Sequence, residues 1–270
     1  AGMTLLTALL AAVCLLHASH GFDARGRHFH ALFQLQIVGL QGAFLTGDLF
    51  NLFVFFEVLL IASYGLLLHG GGSARLRASL HYVTFNLAGS ALFLIAVAML
   101  FGLTGTLNMA DLALRVARLG AEDAVLVRAA ALLLLVVFCV KAALLPLYFW
   151  LPDAYGSASA PVAALFAIMT KVGVYAIARM YTLAFGADGG AAAEVAWPWL
   201  PVFALGTLLL AAVGALAARR MRTLAAYIVI ASAGTLLLAI GFGSAEGTAA
   251  GLFYLINSTL VAAALFLLVD

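Results

Sequence analysis

Three ionisable residues lie inside long apolar stretches of this sequence. Glu57 is the third residue of FFEVLLIASYGLLL (55–68), and the two lysines of the chain, Lys141 and Lys171, fall in comparable runs. An ionised group at the centre of a membrane helix costs roughly 2.5 to 3.5 kcal/mol on the insertion scale. Because such groups usually face a bundle interior or a water-filled path, the three residues predict an ion or proton route.

The use of lysine rather than arginine at two of these positions indicates proton transfer. The chain has 13 lysines and arginines, so all basic residues except Lys141 and Lys171 are arginines, and these lie at the ends of apolar runs or in loops. Arginine stays protonated under essentially all conditions, whereas a desolvated lysine can release its proton. We therefore interpret both lysines as proton carriers and expect Glu57 and Lys141 to form a pair whose strength depends on protonation. The alternative is that the three charges form ion pairs that only fix helix packing.

A proline close to Lys141 predicts a broken helix. Pro146 follows Lys141 by five residues in FCVKAALLPLYFWLPD, which is about 7.5 Å along a helix axis. Proline lacks an N–H group, and its ring clashes with the carbonyl four residues back, here that of Ala142. We expect the helix to break directly after Lys141, in the manner of the discontinuous helices that build ion sites in transporters. The alternative is an ordinary helix that ends near Leu145.

The remaining polar residues favour simpler interpretations. Asp48 in TGDLFN is expected to cap the start of a helix. Asn86 and Ser90, four residues apart, would either line a wet path or form hydrogen bonds between helices. His28 and His30 have no third ligand nearby, so no metal site is expected. The sequence contains no glycine-rich phosphate loop, nucleophile elbow or zinc spacing, and no cofactor is expected either.

The composition is that of an integral membrane protein. The 270 residues are 66% hydrophobic and 9% charged, with a mean hydropathy of +1.19. A spanning helix needs about 20 mostly apolar residues. Nine candidate spans follow from hydropathy and from glycine, proline and charge positions: 3–18, 29–47, 49–69, 78–103, 126–149, 160–184, 199–217, 223–243 and 247–269. The shorter amphipathic segment 106–120 is predicted to be an interfacial helix.

The arginines predict the orientation of the chain in the membrane. Alternating loops place seven arginines on one side, which are Arg25, Arg27, Arg75, Arg77, Arg219, Arg220 and Arg222. The opposite side holds Arg115, Arg118, Arg128 and Arg179. The positive-inside rule makes the first side cytoplasmic. The net charge of +2 argues against binding of nucleic acid. The chain opens without a basic region before its first apolar run, so we expect both of its ends to lie inside a longer protein.

Three blocks of sequence carry a family resemblance. TGDLFNLFVFFEVLLIASYGLLLHGGG, VKAALLPLYFWLPDAYGSASAPVAALFAIMTKVGVYAIARMY and RRMRTLAAYIVIASAG resemble the D-type subunit of the Mrp-type (Pha/Mnh) monovalent cation/proton antiporters. The antiporter-like subunits of respiratory complex I are similar but more distant. The resemblance implies an all-α polytopic bundle with a discontinuous helix and two inverted five-helix repeats. Residues 29–184 would form the first repeat and residues 199–270 the truncated start of the second, within the single membrane domain 1–270.

The resemblance also assigns roles to individual residues. It makes Glu57 the acidic residue of the family's fifth span, Lys141 the lysine of its broken seventh span, and Lys171 the central lysine of its eighth. Complex I relatives have a histidine where this chain has Tyr155, which favours the Mrp side. Asn257 stands in FYLINSTL where the family usually has histidine, and asparagine cannot titrate, which argues against a proton relay through that position.

The resemblance implies a transporter subunit and not an enzyme. In this interpretation Lys171 passes protons laterally, and the pair of Glu57 and Lys141 controls the loading of the proton. The expected partners are other membrane subunits, protons, Na⁺ or K⁺, and the lipid bilayer of a bacterial inner membrane. Two other hypotheses stay open. One is a proton-pumping subunit of an NADH:quinone oxidoreductase or membrane hydrogenase-type complex, and the other is a purely structural membrane subunit.

Overall fold

The protein is an all-helical bundle in the computed structural model, which describes residues 1–269. The helices, numbered in chain order, are α1 Gly2–Ala18, α2 Phe29–Leu45, α3 Leu49–Leu68, α4 Ser73–Thr104, α5 Met109–Val116, α6 Ala124–Ala142, α7 Trp150–Ser157, α8 Ala160–Phe166, α9 Met169–Leu183, α10 Leu200–Ala217, α11 Met221–Gly241 and α12 Ala245–Leu268. Three single 3₁₀ turns lie at Asp23–Arg25, Ala121–Asp123 and Gly190–Ala192. Residues 1–269 contain no β-strand, which agrees with the predicted fold class.

Seven helical segments of the described chain are long and apolar enough to cross a membrane. They are Leu49–Leu68, Ser73–Thr104, Ala121–Ala142, Ala160–Leu183, Leu200–Ala217, Met221–Gly241 and Ala245–Leu268. The other two predicted spans are the apolar helices α1 and α2, which have 17 residues each. All nine predicted spans therefore contain apolar helix, and seven of them reach the length of a membrane span. Leucine and valine side chains on the outside of the bundle are widely exposed, as expected for a surface that faces lipid or other subunits: Leu5, Leu87, Val213 and Leu216.

Three predicted boundaries differ from the structure. Helix α4 begins at Ser73 instead of residue 78, directly after Gly70, Gly71 and Gly72, whose positive φ angles prevent an earlier start. Helix α6 ends at Ala142, so the predicted span 126–149 is not continuous. The predicted span 160–184 is divided into α8 and α9 by a turn.

The divided segment formed by α8 and α9 lies at the centre of the bundle. It is almost entirely buried, whereas α10 is mostly exposed. Helix α9 packs against α2, α6 and α11, and α8 packs against α1 and α12. Lys171 therefore lies on the most enclosed of the candidate spans in the described chain.

The two ends of the bundle carry the two predicted groups of arginines. Arg25, Arg75 and Arg220 line one pocket at one end. At the other end, Arg115 donates to the Thr104 carbonyl at 2.9 Å and Arg179 donates to the Thr46 carbonyl. A backbone bridge between Asp48 and Asn108 joins the two segments that follow these carbonyls. This separation of the arginines into two groups agrees with the sequence analysis. The assignment of the first end to the cytoplasm stays a prediction.

The predicted interfacial helix is α5. It buries Met109, Leu112 and Val116 and exposes its polar face. Arg115 pairs with Asp111 at 3.0 Å, one helical turn away, and this contact holds the pKa of the exposed Asp111 carboxyl below its usual range. The eight residues of α5 are too few to cross a bilayer.

Candidate functional site

The helix break predicted from Pro146 lies directly after Lys141. Helix α6 ends at Ala142, and Ala143 adopts a left-handed conformation with φ 55° and ψ 50°. The chain then runs through turns until α7 begins at Trp150. The Leu145 N–H donates to Thr207 Oγ1 of α10 at 2.8 Å, which satisfies one of the backbone groups that the break releases.

Lys141 is buried, and α4 supplies its hydrogen-bond partners. The side chain is 4% exposed. Its Nζ donates to Ser90 Oγ at 3.1 Å and to the Asn86 carbonyl at 3.2 Å, with Asn86 Oδ1 at 3.5 Å. Gly89 lies between these partners on α4, and a Cβ there would approach Val140 Cγ1 to 3.3 Å. The absence of a side chain at position 89 therefore lets α6 come close to α4.

Glu57 does not form the expected direct pair with Lys141. No ion pair joins the two residues in the described part of the chain, although the carboxylate acts electrostatically on the ammonium group. Glu57 Oε1 is buried and has no hydrogen-bond partner among residues 1–269. The physical reason is that Lys141 is already held by two oxygen acceptors on α4. The structure thus shows these two charges near each other and out of contact.

Lys171 is fully buried, and its partner is a serine of another helix. Its exposure is 0%, and its Nζ donates to Ser232 Oγ of α11. The Ser232 hydroxyl in turn donates to the Val229 carbonyl at 2.6 Å. The sequence does not single out Ser232, because nothing local marks a serine 61 residues away as the partner of this lysine.

A second helix break lies close to Lys171. Helix α8 ends at Phe166, and α9 begins at Met169. The buried Tyr155 hydroxyl donates to the Phe166 carbonyl at 2.7 Å, so a side chain of α7 satisfies a carbonyl at this break. Tyr155 therefore stabilises the irregular backbone near Lys171.

The two broken segments are in close contact. A Cβ atom at Gly173 would lie 2.6 Å from the Ala142 nitrogen and 2.9 Å from the Lys141 carbonyl carbon. Such distances essentially never occur, so α9 reaches this position only because residue 173 is glycine. The backbone of Lys141 consequently lies beside Gly173 of α9, and Gly173 is two residues after Lys171 in sequence.

A small cavity adjoins Lys141 between helices α3, α4, α6 and α7. Its polar lining residues are Lys141, Asn86, Tyr82 and Trp150, and Met169 at the start of α9 also lines it. The rest of its lining is Phe56, Leu59 and Leu60 of α3. The space open to the centre of a water molecule is about 10 Å³, which is near the minimum for one bound water.

The other polar residues that the sequence singles out lie outside this cluster. Asp48 caps α3 by accepting from the Asn51 N–H at 2.9 Å, as predicted. His30 pairs with Asp23 at 3.1 Å at a loop. Asn257 is exposed on α12, away from both lysines' contacts. Residues 1–269 contain no group of three or more metal-ligating side chains.

The chain matches a known family of membrane proteins. A family model described as "NADH:quinone oxidoreductase/Mrp antiporter, TM" matches residues 46–270. The chain belongs to this family. The match confirms the resemblance drawn from the sequence.

Individual members of this antiporter family are similar over nearly the whole chain. One relative, the D-type subunit of a probable K⁺/H⁺ antiporter in Rhizobium meliloti, is 50% identical over 268 residues, covering 99% of this chain and 50% of its own length. The corresponding D-type subunit of a Na⁺/H⁺ antiporter in Alkalihalophilus pseudofirmus is 40% identical, covering 98% of this chain and 53% of its own length. This chain therefore spans about half the length of these relatives.

A solved structure confirms the fold. A chain in the structure of the Mrp complex from Dietzia sp. DQ12-45-1b has a TM-score of 0.86 and 35% sequence identity. The similarity covers 97% of this chain and 48% of that chain. The described bundle is therefore the multi-pass membrane fold of this family.

Proposed function

We propose that this protein is a proton-translocating membrane subunit of a multi-subunit monovalent cation/proton antiporter in a bacterial inner membrane. The observation that carries the proposal is that two buried lysines, on adjoining broken segments, each contact a serine hydroxyl of another helix. The names of the relatives, which specify K⁺/H⁺ and Na⁺/H⁺ antiport, support the same class. The site consists of Glu57, Lys141 and Lys171.

Serine hydroxyls are suitable partners for a lysine that changes protonation. A hydroxyl accepts a hydrogen bond from an ammonium group and can rotate to donate one to a neutral amine. Ser90 can therefore satisfy Lys141 in both states, and Ser232 can do the same for Lys171. A carboxylate only accepts, so it stabilises the charged lysine and opposes release of the proton. Proton transfer thus requires each lysine to be away from carboxylates at the moment of release.

The position of Glu57 fits a controlling role. When its carboxylate contacts Lys141, the ammonium form is held; when the two are apart, as here, Lys141 bonds to α4 and its proton can move on. The proton then passes laterally to Lys171. The buried and unpaired Glu57 Oε1 is consistent with a side chain that exchanges partners during this cycle.

The proposed subunit makes and breaks no covalent bonds of a substrate. Energy would come from the proton gradient, and Na⁺ or K⁺ would be the exchanged ion. Other membrane subunits would be required partners. We further propose that the helices within 29–184 form the first of two inverted repeats and that the helices from residue 199 onward begin the second, which the full-length protein would complete.

A redox-driven pump is the second candidate, because the family also includes subunits of NADH:quinone oxidoreductases. In that case electron transfer in partner subunits would drive the same lysines. The two candidates differ in their partners, which would be small antiporter subunits in the first case and quinone and iron–sulfur subunits in the second.

Ion flux in proteoliposomes tests the proposal. The full-length protein, purified with its natural membrane partners, is expected to acidify or alkalinise the vesicle lumen when a Na⁺ or K⁺ gradient is applied. An assembly that moves protons only on addition of NADH or another reductant would support the redox-driven candidate. An assembly with no proton movement under either condition would contradict both.

A further inference from the structure

The cavity beside Lys141 contains a polar group that the proposed mechanism does not use. Trp150 is 3% exposed and lines the cavity. Its indole Nε1 is buried and meets no acceptor among residues 1–269. An indole N–H is a donor only, and buried donors nearly always have a partner. A bound water in the adjoining space is the simplest acceptor that the geometry permits.

Lys141 offers the second contact for such a water. An ammonium group has three N–H donors. The strongest contacts are those to Ser90 Oγ and the Asn86 carbonyl, while Asn86 Oδ1 lies at the limit of bonding distance. Because the lysine lines the cavity, a water held there would lie beside this side chain and could accept from its remaining N–H.

We propose that Trp150 holds a water molecule against Lys141 and is a positioning residue for proton transfer at this lysine. The inference rests on the proposed function and adds to it the group that receives the proton. The indole N–H donates to the water oxygen and so fixes one of its lone pairs. The other lone pair accepts from the ammonium of Lys141, and the two O–H groups point toward acceptors such as Asn86 Oδ1 and Tyr82.

The transfer is balanced in atoms and charge. A proton leaves Lys141 Nζ for the water oxygen, and the same water passes on one of its own protons. Under the proposed function that proton ends on the neutral amine of Lys171, so one lysine loses the charge that the other gains. Lys141 is then neutral, and the water can donate to its free lone pair. Trp150 gains and loses nothing in this step, because its role is to keep the water oriented.

Packing alone does not require a tryptophan at this position. The ring of Trp150 stacks on Tyr82 with centroids 5.1 Å apart and contacts Tyr155 edge-on at 6.2 Å. A phenylalanine would keep most of these aromatic contacts and remove only the N–H and part of the ring. Ser63 Oγ donates to the Leu60 carbonyl, so the Tyr82 hydroxyl donates to Ser63 at 2.8 Å. Tyr82 can therefore accept from the water but cannot replace the Trp150 N–H as a donor to it.

The test compares Trp150→Phe with Trp199→Phe in the complete assembly. Trp199 is a matched control because it is half exposed and stacks on Phe203 at the start of α10. We expect Trp150→Phe to lower the maximum exchange rate about five- to tenfold, the effect of one lost hydrogen bond, with an unchanged half-saturating cation concentration. Trp199→Phe should match the parent protein in both quantities.

Two outcomes separate this inference from the proposed function. A normal maximum rate for Trp150→Phe, together with loss of exchange in Lys141→Arg, would overturn the water site and leave the antiporter function intact. Normal rates in both variants would contradict the proposed function itself. If Trp150→Phe fails to assemble, a high-resolution map of the parent assembly decides. A water peak about 2.7–3.2 Å from Trp150 Nε1 supports the proposal, and an empty cavity overturns it.

Discussion

Gly173 of α9 lies against the peptide that joins Lys141 to Ala142, so closely that a Cβ atom would come within 2.6 Å of the Ala142 nitrogen. This contact places the break after Lys141 beside the segment that carries Lys171. The two lysines are 30 positions apart in sequence, and the contact between these backbones supports the proposed lateral transfer between them.

Replacement of Gly173 by alanine should separate the two broken segments. The added methyl group would clash with backbone atoms that cannot rotate away, and overpacking of this kind costs about 1–3 kcal/mol. We expect Gly173→Ala to lower both the thermal stability and the exchange rate of the assembly. Gly102→Ala is the control, because nothing lies within 4 Å of a Cβ at that position of α4. Equal stability of the two variants would contradict the close packing.

Glu57→Gln should abolish exchange while the protein still inserts and assembles. The substitution keeps the shape of the side chain and removes the charge that acts on Lys141. Glu57→Asp should retain part of the activity, because the carboxylate survives about one methylene further from its partner. Glu246→Gln, at an exposed carboxylate in the first turn of α12, should behave like the parent protein. Exchange at the parent rate by Glu57→Gln vesicles would refute the role of this charge.

Lys141→Arg distinguishes a structural charge from a proton carrier. Arginine can bond to the oxygen acceptors on α4 and preserves the attraction to Glu57, but a guanidinium group does not deprotonate. We expect severe loss of proton-coupled cation flux at near-normal expression. Transport at the parent rate over several pH values would show that Lys141 serves only as a fixed charge.

Tyr155→Phe should weaken the irregular backbone near Lys171. The substitution removes the hydroxyl that donates to the Phe166 carbonyl and leaves this buried acceptor unpaired, which costs about 1–3 kcal/mol. The expected result is a lower thermal midpoint for the assembly. Tyr254→Phe is a suitable comparison, because the half-buried Tyr254 of α12 forms no hydrogen bond within residues 1–269. A midpoint unchanged by Tyr155→Phe would show that another group satisfies the carbonyl.

The fold and the helix break after Lys141 could be predicted from the sequence for clear physical reasons. Long apolar runs define membrane helices, and an ionisable residue within such a run needs a special environment. Pro146 predicts the break after Lys141 because its ring conflicts with a specific carbonyl. The break between α8 and α9 has no such signal, since neither Ala167 nor Ile168 disfavours helix strongly and the turn depends on tertiary packing.

The partners of the charges could not be predicted, because they depend on how distant helices pack. The sequence suggests that Glu57 contacts Lys141, whereas Asn86 and Ser90 of α4 hold this lysine in the structure. The sequence marks Asn86 and Ser90 only as polar residues one helical turn apart. Ser232 and the indole of Trp150 give no signal, since a serine or tryptophan in a membrane helix is ordinary until its neighbours are known.

Transport by Lys171→Arg, measured against pH in vesicles containing the complete assembly, tests the central claim most directly. Lys171 is fully buried and bonds to a neutral hydroxyl, so a relay requires that it release and regain a proton. Arginine keeps the positive charge and the bond to Ser232 but cannot release a proton under these conditions. The account predicts that Lys171→Arg assembles normally and loses cation-driven proton flux at every pH. A Lys171→Arg protein with the rate and pH profile of the parent would contradict the relay and leave Lys171 as a fixed charge.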